Sequence, residues 1–146
     1  MKDKFYYSDS SNSFIGEIQI SNEDIEFEID LNEPKLNWEE IKNFISSFDN
    51  DDFIKIKGIA SELLLGFIKL VPFGLEEPYD NYEFKLEGVS YYGKVNNLIF
   101  SEEVDSYDLI FKIYLPTSCV ECYDPYGNYI VSVMNKLITG VRREQI

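Results

Sequence analysis

The run IEFEIDL puts Ile25, Phe27, Ile29 and Leu31 on one side of an extended chain, and Glu26, Glu28 and Asp30 on the other. Successive strand side chains point to opposite faces, so this strict period of two predicts a strand with a buried face and a carboxylate row. The preceding run FIGEIQI alternates Phe14, Ile18 and Ile20 with Glu17 and Gln19. With the turn segment SNED between them, the two runs predict a hairpin. The polar stretch SDSSNS, residues 8–13, reads as a mobile entry, so residues 1–13 are expected to lie outside the packed fold.

After the hairpin the period changes. Asn37 followed by Glu40 resembles a helix-capping signal, and Trp38, Ile41, Phe44, Ile45 and Phe48 recur at helical spacing behind it. The break FDNDD offers Asp51 or Asp52 as the cap of a second helix. Phe53, Ile56, Ala60, Leu63, Leu64 and Phe67 trace one face of that helix, and Pro72 and Gly74 end it. From Tyr82 onward the period of two returns. YEFKLEG and VSYYGKV read as strands, Asn96-Asn97 as a tight turn, NLIF as the return, and SEEVDS as an acidic loop. YDLIFKIYL sets Tyr107, Leu109, Phe111, Ile113 and Leu115 on one face and a semi-apolar face, Ile110 and Tyr114 beside Asp108 and Lys112, on the other, as suits a central strand; further strands are expected around Val120, over 130–134 and over 138–141. The expected fold is α+β: an antiparallel sheet formed by an N-terminal hairpin and a C-terminal meander, with two helices packed on it. Residues 1–146 form one domain on this reading, and a chain of this size buries about 69% of its unfolded surface.

Cys119 and Cys122 suggest half a zinc site or a redox pair. On a strand, residues three apart point to opposite faces and lie about 10 Å apart along the chain. A disulfide needs Cα atoms within roughly 7 Å, and zinc needs four converging ligands. The segment DPYG, Asp124–Gly127, fits a type I turn directly afterwards, so the cysteines read as the approach to a hairpin corner. The chain has no histidine, which removes Ser-His-Asp and Cys-His machinery, histidine-ligated metals and the usual general base. It carries no P-loop, dinucleotide-binding or nucleophile-elbow motif, and its acidic stretches do not match a calcium-binding loop. A non-catalytic protein without cofactor or metal is expected.

The net charge is −14 and unevenly spread. Residues 1–52 carry 14 acids and 4 bases, and 76–124 carry 11 and 3; residues 53–75 and 125–146 each carry 1 acid and 3 bases. This balance repels phosphate, so neither nucleic acid nor an anionic membrane is an expected partner, whereas a basic protein is. The start has no apolar signal core and LLLGFI (residues 63–68) is too short to span a bilayer, so a cytoplasmic location is expected. Glu26, Glu28 and Asp30 read either as the solvent face of an edge strand or as one rim of a docking surface. Glu102, Glu103, Asp105 and Tyr126 join them as candidate partner-binding residues. Tyr91, Tyr92, Tyr123 and Tyr129 are further candidate aromatic anchors beside the row.

In size, acidity, α+β pattern and the closing DPYGNYIV…ITGVRRE (residues 124–144), the chain resembles the small acidic immunity proteins of bacterial polymorphic toxin systems and other small bacterial β-rich domains. That resemblance implies an inhibitor of a basic, nucleic-acid-cleaving toxin and carries over no functional residue. The abundance of Ile, Lys, Asn, Glu and Asp fits an AT-rich bacterial or phage genome. Two alternatives remain: a phage-type DNA mimic directed at a host defence complex, which needs both acidic blocks on one face, and an enzyme that uses carboxylates.

Overall fold

A computed structural model describes residues 4–31, 36–97, 102–116 and 124–146. The strands are β1 (Phe5–Ser8), β2 (Ser13–Ile20), β3 (Glu23–Ile29), β4 (Glu83–Asn97), β5 (Glu102–Tyr114), β6 (Gly127–Met134) and β7 (Leu137–Gln145). They form one seven-stranded sheet in sequence order, antiparallel except for the parallel neighbours β3 and β4. A parallel pair needs a long crossover. Here α1 (Trp38–Ser46), a 3-10 turn (Ser47–Asp49) and α2 (Asp51–Leu70) supply it and pack on one face of the sheet.

The helices start where short polar side chains hold the first N–H groups. Asn37 Oδ1 accepts from the amides of Glu39 (3.1 Å) and Glu40 (3.2 Å). Asn50, not Asp51 or Asp52, caps α2 by accepting from the Phe53 amide at 3.0 Å. The two aspartates instead occupy the first turn, where their charge suits the helix dipole. Pro72 lacks the N–H to continue α2, which ends with the Val71 amide bonded to the Phe67 carbonyl. Phe44 of α1 stacks on Tyr91 of β4 (centroids 4.3 Å apart) and meets Tyr107 of β5 edge-on at 4.9 Å. Such pairs add about 0.5–1.5 kcal/mol each beyond area burial.

Several local expectations change. Phe5–Ser8 pair with β2 rather than forming a mobile entry, because Phe5 has rings to pack on, Phe27 and Trp38. At Gly16, opposite Phe5, an added Cβ would come within 2.7 Å of that ring. The two runs from Tyr82 to Val95 belong to one long strand, with register shifts that leave Glu87 and Tyr92 as extra residues. Asn96 and Asn97 pair with Glu103 and Glu102, so they are strand and not turn, and SEEVDS contributes Glu102–Ser106 to β5 rather than an acidic loop. The carboxylate row is not on an edge strand, since β3 pairs with both β2 and β4. Its buried face sits against the helices, which is why the alternation was so clean. Cys119, Cys122, Tyr123, Val120 and most of NLIF lie outside the described residues. At the turn after them, the Gly127 amide donates to the Asp124 carbonyl at 3.4 Å, which closes a β-turn over Asp124–Gly127.

Candidate partner-binding face

Both helices occupy one side of the sheet, so the side chains that alternate away from them form a second face that no described helix covers. Pairing register decides who meets whom there. Glu17 of β2 stands directly opposite Glu26 of β3, Glu28 lies opposite Ile15, and Asp24 lies opposite Gln19. The Gln19 amide donates to Asp24 at 3.3 Å. Glu17, Glu26, Glu28 and Asp30 form no ion pair with any described residue. Like charges directly opposite on a sheet destabilise it by about 0.2–1 kcal/mol.

The Glu17–Glu26 pair forms a ridge shared by two shallow hollows. One, of about 470 Å³, is lined by Lys4, Tyr6, Ile15, Gly16 and the two glutamates. The other, of about 390 Å³, adds Glu23, Asp24, Lys85, Leu86 and Glu87 to the same pair. Carboxylates without an ion-pair partner among the described residues, with Tyr6 beside them, suit a lysine- or arginine-bearing protein surface.

The other half of this face is electrostatically closed. The Asp108 side chain, 8% exposed, accepts from Tyr92 Oη (2.8 Å), Ser132 Oγ (2.6 Å) and Arg142 Nη2 (3.0 Å). Arg142 also donates through Nε to Glu144 at 3.0 Å. The network ties β4, β5, β6 and β7 together, and both oxygens of Asp108 accept hydrogen bonds within it.

The seven candidate residues do not assemble into one site. Glu26, Glu28 and Asp30 share the open face; the Asp30 amide, just past β3, continues the ladder by donating to the Tyr91 carbonyl at 2.9 Å. Glu102 and Glu103 are exposed at the start of β5. Glu103 and Asp105 line the helix side there: Asp105 accepts from Tyr91 Oη (2.9 Å) and lies 3.6 Å from Lys94 Nζ. Tyr126, 66% exposed, sits in the turn before β6, at the opposite end of the sheet. Tyr91 and Tyr129 are core residues and not surface anchors, because their rings lie on the helix side among apolar neighbours. Tyr92 is the anchor candidate that does reach the open face. Glu17, Asp24 and Glu87 belong with the row and were not singled out beforehand. Glu17's place in the alternation of β2 was visible, but its position opposite Glu26 depends on register alone.

A second clamp lies on the helix side. Arg143 holds Asp124 through Nε (2.9 Å) and Nη2 (3.2 Å), lies over the Phe73 ring at 5.1 Å, and shares Asp124 with Tyr129 Oη. Burial pushes the Asp124 carboxyl up, but the hydrogen bonds from Arg143 and Tyr129 outweigh it and hold it below its ordinary 3.8. Burial likewise raises the Tyr107 phenol to about 12, with the Asp105 charge adding to it. Tyr91, Tyr92 and Tyr129 are pushed up too, first by burial and then by their bonds to Asp105, Asp108 and Asp124.

Among the described residues, no three acidic or sulfur side chains converge on a metal-sized point, and no helix is long and apolar enough to cross a membrane. No protein-family model, curated protein or solved structure matches the chain, so its reading rests on this geometry.

Proposed function

We propose that the protein is a non-catalytic binding protein that holds a basic protein partner on the open sheet face. Its most concrete form is an immunity-type inhibitor of a nucleic-acid-cleaving toxin, acting in the bacterial cytoplasm. One observation carries this reading: Glu17 opposes Glu26 on a sheet face that no described helix covers, beside Glu28, with no described cation in ion-pair range. Relieving that repulsion would stabilise the isolated protein, so a partner that supplies the missing cations explains the arrangement. A nuclease is the natural basic partner, because a cleft that attracts phosphate also attracts carboxylates.

The test is a pull-down with the tagged protein from lysate of its source cells, at ~50 mM and then ~500 mM salt, where screening shortens. Alongside it, the triple variant Glu17→Lys, Glu26→Lys, Glu28→Lys serves as bait. A basic nuclease captured by the wild type, released by salt and lost with the variant supports the reading, provided the variant melts no lower. Capture that the triple reversal leaves unchanged overturns the open face as the binding surface. Capture of a multi-subunit nucleic-acid-binding complex would favour the DNA-mimic alternative.

A further inference from the structure

We draw no further inference here: the strongest candidate, the outer edge of β7 over Gly140–Gln145, which pairs with β6 alone among the described strands, carries none, because its two arginines are held within the chain by Asp108 and Asp124 and nothing in the structure shows what covers it.

Discussion

On the β4–β7 half of the open face, Arg142 bridges Asp108 and Glu144, whereas on the β2–β3 half Glu17 faces Glu26 without a described cation in ion-pair range. Both halves belong to one sheet and share the same solvent. The first uses charge to hold four strands in register, and its carboxylate is nearly buried. The second leaves charge unpaired on exposed side chains, where it contributes nothing to the fold. The contrast teaches that acidity by itself does not mark a binding surface. Carboxylates whose lone pairs are filled within the chain serve structure, and those that lack partners are available to another molecule.

The largest expected effect lies at high pH and tests how tightly the structural tyrosines are held. Tyr91, Tyr92, Tyr107 and Tyr129 favour the neutral phenol when folded, so their folded pKa values lie above the ordinary 10. The stability they add is therefore complete below pH 10 and is lost as pH rises toward 12. Tyrosinate absorbance should show an ordinary phase near 10 and a delayed phase that coincides with loss of circular dichroism. Titration of every tyrosine near 10 with the fold intact would show that these rings are not held as described.

Next comes Arg142→Ala, which strips the guanidinium from a nearly buried carboxylate. Discounted for the half-exposed arginine, the expected loss is about 2–3 kcal/mol, a fall in melting temperature of roughly 5–10 °C. An unchanged melting curve would remove the distinction between the two halves. Asp124→Asn should cost about 1–2 kcal/mol at neutral pH. A carboxyl with a depressed folded pKa stabilises above its ordinary 3.8 and loses that contribution as pH falls through the folded value. The wild-type advantage over Asp124→Asn should thus vanish in acid, and an advantage independent of pH would contradict the clamp.

The smallest effect sharpens the comparison most. Glu26→Gln removes one of the two opposed charges and should raise stability by about 0.2–1 kcal/mol at low salt, with the gain shrinking as salt is added. A loss of stability would mean that Glu26 serves the fold after all.

Much of the architecture was legible in the residues. The alternation in Ile25–Ile29 reports burial of one side against a core, and Asn37 with its following apolar spacing reports a helix start, because both signals act within a few residues. The strands of β6 and β7 and the DPYG turn were legible for the same reason. β1 was missed because four residues next to a polar run carry little pattern, and Phe5 finds its reasons in Phe27 and Trp38, far along the chain. The single strand β4 was divided at Gly88 and cut short at Asn96, because bulges interrupt the alternation without ending the ladder.

By itself, then, the sequence determined the α+β class, the two helices and the outward direction of Glu26, Glu28 and Asp30, since side-chain direction follows local periodicity. Tertiary structure alone decided that Glu17 stands against Glu26, and that Asp105 belongs with Tyr91 on the helix side while Asp108 is enclosed by Arg142. Those outcomes depend on strand order and register, which are set by packing between residues distant in the chain, and a shift of one residue would turn each side chain to the other face.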